Sequence, residues 1–177
     1  MDSALAWIGQ LAEWFGKLIP HLVIVKVTQG GIRMRRGNEI SEIVPGPLVH
    51  WPIWTPIEII TVVRDTMDLP AQTFTTKDGR VTLASGMITY SVKDVVKLLT
   101  TAPDYTNAIA DVAMTCIHDV FIQYEWEALR AGILDGSVNK ALKKSTQDEL
   151  GGFGIKVIAF GLKDLAPARV LKIVQDT

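Results

Sequence analysis

The sequence predicts an α+β domain, with a mostly antiparallel β-sheet in the N-terminal half followed by helices and a late returning strand. Apolar and β-branched runs broken by Gly and Pro extend from residue 21 to about residue 92, which is typical of short strands. After Asp94 the apolar residues recur at helical spacing, until segment 154–162 returns to a strand pattern. Strands followed by helices indicate the α+β class. We expect an amphipathic helix over residues 1–21 and one domain over residues 22–177.

The predicted N-terminal helix has one apolar face and one polar face. Gln10, Glu13 and Lys17 share the polar face, and Pro20 ends the helix. We predict that the apolar face contacts a membrane, because indole rings favour the boundary between lipid headgroups and acyl chains. The apolar stripe consists of Ala4, Trp7, Ile8, Leu11, Trp14, Phe15 and Leu18.

Three other interpretations of this N-terminal segment are open. A transmembrane span from Leu5 to Val27 would place Glu13 and Lys17 near mid-bilayer, at a cost of about 2.5–3.5 kcal/mol each. A signal peptide would carry basic residues ahead of its apolar stretch, whereas this chain has Asp2 there. The third alternative is a helix that docks on the domain's own core or on a neighbouring subunit.

The first half of the domain contains the predicted strands. The candidates are residues 22–29, 31–35, 42–44, 57–69 and 80–92. The candidate over residues 57–69 is long enough to be bent or broken. Asp78-Gly79 is a turn signal, so a hairpin is expected within residues 70–92.

The predicted helices follow Asp94. They run from Asp94 to about Thr100, from Pro103 to about Tyr124, from about Ser137 to Leu150, and from Pro167 to about Val174. Asp94 can cap the first helix, and Gly151-Gly152 is a stop signal after the third. Pro167 suits the first turn of the last helix, because its missing N–H would have no helical partner there.

The charge balance argues against a polyanionic partner. The chain has 18 Lys and Arg against 19 Asp and Glu, and its net charge is -1, so nucleic acid is not an expected partner. Arg33, Arg35 and Arg36 form the densest basic cluster, and Glu39 and Glu42 balance it within a few residues. We interpret the cluster as a solvated hairpin, with a phosphate or lipid-headgroup contact as the less favoured alternative.

The sequence predicts neither an enzyme nor a cofactor or metal site. Cys116 is the single cysteine, which excludes an intramolecular disulfide and a Cys-based zinc cage. Cys116 and His118 cannot form a local dyad, because residues two apart on a helix point about 200° away from each other. Asp65 and Asp68 lie in a strand region with no cleft assembled around them, and the three His do not recur at ligand spacing.

The segment Pro45–Pro56 is predicted to be an apolar loop with a binding role. It contains four of the eight prolines and two of the five tryptophans, so neither a helix nor a central strand is expected. Hydrophobic residues make up 48% of the chain and charged residues 21%, so some apolar surface is expected to meet a membrane or a partner. A loop folded onto the core is the alternative. The predicted membrane-contact residues of this loop are Leu48, Trp51, Ile53 and Trp54.

Several motifs follow one another in a fixed order after residue 22. They are the strand pair Val23 to Arg36, the loop Pro45-Gly46 with Leu48, His50 and Pro52, the turn Thr76-Lys77-Asp78-Gly79, the strand ending Tyr90-Ser91-Val92-Lys93-Asp94, and finally Gly154-Ile155-Lys156-Val157 and Leu162-Lys163-Asp164-Leu165 before Pro167. In this order and spacing the chain resembles the SPFH domain, also called Band 7, of stomatin, prohibitin, flotillin and the bacterial HflK and HflC proteins.

The resemblance implies a non-enzymatic membrane-associated scaffold whose subunits assemble into rings or cages. In the family an N-terminal hydrophobic segment and apolar loops touch the bilayer. The implied partners are the lipid bilayer, further copies of the chain or related subunits, and a membrane protease or channel. The implied location is peripheral or monotopic on a membrane. The alternative function is a soluble interaction module, or a regulatory adaptor of a membrane protease, whose N-terminal helix binds protein.

The chain departs from the family pattern at two places. Family members usually continue into a long Ala- and Glu-rich helix, and this chain ends at Thr177 where that helix would begin. We therefore expect either a shortened or a minimal version of the family pattern. Ile117-His118 also occupies about the place where members often carry an Arg, so the subunit contact there is expected to differ.

Overall fold

The computed structural model describes residues 19–35 and 39–168. The predicted N-terminal helix and most of the predicted last helix therefore lie outside the described residues. The strands are β1 (His21–Val25), β2 (Gln29–Arg35), β3 (Glu39–Ile43), β4 (Gly46–His50), β5 (Ile57–Thr61), β6 (Asp65–Thr75), β7 (Val81–Val92) and β8 (Ile155–Pro167). The helices are α1 (Val95–Thr101), α2 (Tyr105–Phe121), α3 (Trp126–Leu134) and α4 (Ser137–Leu150), with a 3-10 turn at Gly151–Phe153. The α+β class with a late returning strand is confirmed.

The strands form three antiparallel sheets. β1 pairs with β4, β2 lies between β3 and β5, and β7 lies between β6 and β8. The predicted long strand 57–69 is broken, and its two parts belong to different sheets. The predicted hairpin is confirmed as β6–β7, with Gly79 at φ 75° in its turn, a conformation that glycine adopts without steric cost.

Part of the predicted apolar loop is a strand, which corrects the sequence prediction. Gly46–His50 forms β4 and pairs with β1 from Val25↔Gly46 to His21↔His50. Both strands of a two-stranded sheet are edge strands, and an edge strand tolerates Pro47, which has no N–H to donate. Of the predicted loop, residues 51–56 form the turn that follows β4.

One apolar core joins the helices to two of the sheets. Ile32 and Ile60 reach it from the sheet β3-β2-β5, and Ile88 reaches it from β7. α2 contacts β6, α4 contacts β8, and these two helices contact each other. Phe121 of α2 lies edge-on to Phe74 of β6, with ring centroids 5.5 Å apart. The β1–β4 pair contributes no residue to this core cluster in the described part of the chain, and its Leu22, Ile24 and Val49 are exposed.

The start of α1 follows from local chemistry, as predicted for Asp94. The Asp94 carboxylate accepts a hydrogen bond of 2.8 Å from the Lys97 N–H, which caps α1. The Gly154 carbonyl accepts from the N–H groups of Lys93 and Asp94 at 2.8 and 3.1 Å. A side chain at Gly154 would meet the Asp94 carbonyl at 2.7 Å, so this close approach of backbone requires glycine.

Two details of the C-terminal half differ from prediction. α3 was not predicted; it has nine residues with Gly132 inside and no side-chain cap, so its local signals are weak. Pro167 ends β8 opposite Thr82 of β7 instead of starting a helix. It occupies the last strand position on an edge strand, where the absence of its N–H is tolerated.

Candidate functional site

The two-stranded sheet of β1 and β4, called here the ribbon, has one solvent-exposed apolar face. Its register pairs Leu22 with Val49 and Ile24 with Pro47, and paired residues of an antiparallel ladder share a face. Leu22, Ile24 and Val49 are 67%, 72% and 55% exposed, whereas Val25 on the opposite face is buried. The ribbon therefore presents Leu22, Ile24 and Val49 outward and not toward the core.

The turn after β4 extends this apolar face with aromatic residues. The Thr55 hydroxyl accepts from the Trp51 N–H at 2.9 Å and donates to the Trp51 carbonyl at 3.1 Å. The N–H groups of Trp54 and Thr55 also donate to that carbonyl, at 3.1 and 2.8 Å. These bonds close the turn and leave Trp51, Ile53 and Trp54 exposed, Trp54 most of all at 67%. The indoles are thus held in solvent by an ordered turn.

We call the exposed apolar residues at this end of the molecule the ribbon surface. Val49, Trp51, Ile53 and Trp54 line one cavity, and Leu22 pairs with Val49 across the ribbon, so the residues are contiguous. The ribbon surface consists of Leu22, Ile24, Val49, Trp51, Ile53 and Trp54.

The structure brings together some of the predicted membrane-contact residues. Trp51, Ile53 and Trp54 belong to the ribbon surface, whereas Leu48 is half-buried and pairs with Val23 on the other face of the ribbon. The predicted contact residues of the N-terminal helix, Trp7, Ile8, Leu11, Trp14, Phe15 and Leu18, lie outside the described residues.

Sequence reasoning missed Leu22, Ile24 and Val49. The first two belong to a run of four apolar residues, LVIV, in which alternation cannot show which face is exposed. Val49 was part of a segment predicted to be a loop, so no strand face could be assigned to it. Predicting a strand over Gly46–His50 would have identified Val49, because alternation along a strand places Val49 and Pro47 on one face.

The cavity beside the ribbon surface, called here the arginine cavity, has a volume of about 1030 Å³. Arg33 and Arg35 of β2 lie on its wall, together with Trp51 and Trp54 of the turn. The Ser41 hydroxyl accepts from Arg33 Nε at 3.4 Å, which holds the guanidinium along the sheet. The interpretation of these arginines as a solvated hairpin is therefore incomplete, because two of them share a cavity with the aromatic turn.

Two histidines that had no partner in sequence are neighbours in the structure. His21 and His50 pair across the ribbon with their rings edge-on and the centroids 6.0 Å apart. His50 Nδ1 lies 3.3 Å from the Thr55 carbonyl, so this ring braces the aromatic turn from the buried side. Of the two rings, His50 is the one that contacts the turn carrying Trp51 and Trp54.

The residues considered for catalysis occupy separate environments. Cys116 is buried in α2, and His118 and Asp119 are exposed on the same helix with Nδ1 and Oδ1 3.5 Å apart. Asp68 of β6 forms an ion pair with Lys163 of β8. Within residues 19–35 and 39–168, no three His, Cys, Asp or Glu side chains are grouped so as to hold a metal ion.

The perturbed ionisable groups belong to turns and to the core. Hydrogen bonding from Thr76 is the main factor that lowers the pKa of Asp78, and hydrogen bonding from Ser137 is the main factor that lowers the pKa of Asp135. Burial, followed by the charge of Asp65, raises the pKa of Tyr90 to about 12. These shifts report local structure and do not mark a reactive centre.

No helix among the described residues has both the length and the apolar character needed to cross a membrane.

Comparison with known proteins assigns the chain to a family. The profile of the SPFH domain / Band 7 family matches residues 23–177. An uncharacterised protein of Archaeoglobus fulgidus is 28% identical over 159 residues, and one of Methanocaldococcus jannaschii is 26% identical over 158 residues. A stomatin homologue of Pyrococcus horikoshii is 25% identical over 142 residues. These alignments cover 90%, 88% and 80% of this chain, and 63%, 77% and 53% of the respective relatives. Because the family profile matches nearly the whole sequence, the chain belongs to the SPFH domain / Band 7 family.

Proposed function

We propose that this chain is a non-enzymatic scaffold that associates peripherally with a membrane, oligomerises, and organises membrane or partner proteins. Family membership supports a scaffold-type role in general terms, and the similarity to a stomatin homologue agrees with a location at a membrane. The ribbon surface is the observation that carries the membrane part of the proposal.

The composition and shape of the ribbon surface favour a bilayer. Its residues are large and apolar, they are contiguous, and an ordered turn holds the two indoles outward. Burying large apolar side chains releases about 1.5–3 kcal/mol each relative to water, and tryptophan is favoured at the level of the lipid headgroups. Insertion of this end of the molecule would therefore hold the domain on one side of the membrane without a membrane-crossing segment among the described residues.

The first test removes the indoles from the ribbon surface. We expect the double substitution Trp51→Ser and Trp54→Ser to weaken binding to phospholipid vesicles by roughly tenfold or more, because each indole contributes apolar burial. Vesicle flotation over a range of lipid concentrations measures the partition coefficient. Both indoles are exposed, so the thermal unfolding temperature should stay close to that of the parent chain.

Leu134→Ser is the matched control for this experiment. Leu134 is 90% exposed at the end of α3 and is not a ribbon-surface residue. Its replacement should leave vesicle binding unchanged. Equal binding by the parent chain and the double Trp variant would overturn the role of the ribbon surface.

A further inference from the structure

The arginine cavity places positive charge directly beside the ribbon surface. Arg33 and Arg35 are alternate residues of β2, so their side chains leave the same face of the sheet, opposite to the buried Ile32. The turn that follows β4 lies across this face, because Trp51 and Trp54 line the same cavity. The cavity thus combines two guanidinium groups with two indoles.

Among the described residues, no carboxylate forms an ion pair with the arginines of this cavity. Neither Arg33 nor Arg35 has a carboxylate within 4.0 Å among the described residues. Glu39 lies opposite Arg35 in the β2–β3 register without forming such a pair. The described residues that line the cavity include no acidic side chain. An anion that enters the cavity would therefore meet two guanidinium groups that form no ion pair among the described residues.

From this arrangement we infer that the arginine cavity binds the phosphate group of an anionic phospholipid in the membrane that the ribbon surface contacts. Guanidinium groups bind phosphate through two parallel N–H···O bonds, which a point charge cannot reproduce. The cavity volume of about 1030 Å³ is at the upper end of the usual range for small-molecule sites, so a lipid headgroup has room.

The apolar lining favours a lipid over a soluble phosphate. Val49, Ile53 and the indoles line the same cavity as the arginines, and they are part of the exposed ribbon surface. A phospholipid can place its phosphate on the arginines while its glycerol and acyl chains follow this apolar path. The net charge of the chain is -1, so the preference arises from the local pair of arginines and not from a general attraction.

This inference rests on the proposed membrane association, and the test separates the two. The full chain is bound to vesicles of phosphatidylcholine alone and to vesicles of phosphatidylcholine mixed with phosphatidylglycerol. Replacing both arginines by glutamine, Arg33→Gln with Arg35→Gln, should lower affinity for the mixed vesicles by roughly fivefold per arginine, the effect of one basic residue near an anionic surface. Affinity for phosphatidylcholine alone should fall much less, because the choline cation of that lipid offsets the charge of its phosphate.

Arg130→Gln is the matched control, because Arg130 also lies near an indole, 5.9 Å from the ring centroid of Trp126, but on α3. Its binding to both kinds of vesicle should equal that of the parent chain. Thermal unfolding checks that each variant is folded. If the double variant does not fold, Arg35→Gln alone, at the exposed end of β2, provides the same test with about a fivefold effect.

Three other results would overturn the cavity assignment, the proposed function or the choice of a lipid as the ligand. A glutamine variant that keeps the full preference for phosphatidylglycerol, while still binding phosphatidylcholine, overturns the cavity assignment and leaves the proposed function standing. A parent chain that binds neither vesicle overturns the proposed function itself. Calorimetric titration with glycerol 3-phosphate distinguishes the source of the phosphate, because binding as tight as that to mixed vesicles would show a soluble-phosphate site and overturn the lipid assignment.

Discussion

At the scale of single residues, the clearest electrostatic feature is the Asp78 turn between β6 and β7. The Asp78 carboxylate accepts from the Thr76 hydroxyl and pairs with Arg80 Nε at 3.0 Å. The Lys77 N–H donates to the Tyr124 carbonyl at 3.0 Å. The turn predicted from Asp78-Gly79 is therefore also a tertiary contact, because it fastens the hairpin to the link between α2 and α3.

We expect Asp78→Asn to reduce the stability of the chain at neutral pH but not in acid. The pKa of Asp78 is lowered from its ordinary 3.8, so its ionised form stabilises the folded state above that value. This contribution is lost as the pH falls through the lowered pKa, so the difference from the parent chain should disappear in acid. Urea unfolding at about pH 7 and at a pH well below the ordinary pKa measures the difference.

Thr76→Val provides the control for the Asp78 experiment. It removes the hydroxyl that donates to Asp78 and to the Arg80 carbonyl, and its effect should add only in part to that of Asp78→Asn, because both substitutions weaken the bond between the Thr76 hydroxyl and residue 78. A stability deficit of equal size at both pH values would contradict the expected role of the ionised carboxylate.

At the scale of elements, the sheet β3-β2-β5 links the core to the arginine cavity. Ile32 of β2 is buried in the core, and its neighbours Arg33 and Arg35 line the cavity. β5 approaches β2 closely at Gly31, where an added Cβ would lie 2.2 Å from the Glu58 carbonyl. The spacing of these two strands therefore depends on the absence of a side chain at Gly31.

We expect Gly31→Ala to lower the free energy of unfolding by about 1–3 kcal/mol, the usual cost of inserting a group into a packed region. The conflict is with backbone, which cannot rotate away, so β2 and β5 must separate. Urea unfolding measures the change. Gly152→Ala is the control, because a Cβ there has no heavy atom within 4 Å and should change stability little. Equal stability of both variants would show that the β2–β5 spacing is adaptable.

At the scale of the whole molecule, the question is how membrane contact and self-association are divided along the chain. The described residues place the ribbon surface at the β1–β4 end, and the predicted N-terminal helix immediately precedes β1 in sequence. If this helix inserts into the membrane beside the ribbon, its removal should weaken vesicle binding. If it binds another subunit, its removal should change the oligomeric state.

Deletion of residues 1–20 distinguishes the scaffold from the adaptor. If the helix binds lipid, as we expect, the truncated chain loses most of its vesicle binding and keeps its oligomeric state. Vesicle flotation and light scattering coupled to size-exclusion chromatography measure the two properties. Loss of oligomers with unchanged vesicle binding would favour the alternative, a soluble interaction module or adaptor of a membrane protease.

Much of the fold could be predicted from sequence because its signals are local. The cap at Asp94, the Asp-Gly turn and the glycine stop after Leu150 are visible in a few consecutive residues. α3 was missed because its nine residues contain Gly132 and lack a side-chain cap. Gly46–His50 was missed as a strand because its proline argues against one, and the β1 pairing that tolerates this proline is distant in sequence.

The sequence by itself determined the succession of a strand-rich half, a helical half and a late strand, together with the Asp-Gly turn and an aromatic segment rich in proline, because these depend on short-range periodicity and turn chemistry. Only the tertiary structure decided which face of the LVIV run is exposed and which strand pairs with it. It also decided that Arg33 and Arg35 share a cavity with Trp51 and Trp54. These features join segments that are far apart along the chain, and their residues come into contact only when the chain folds.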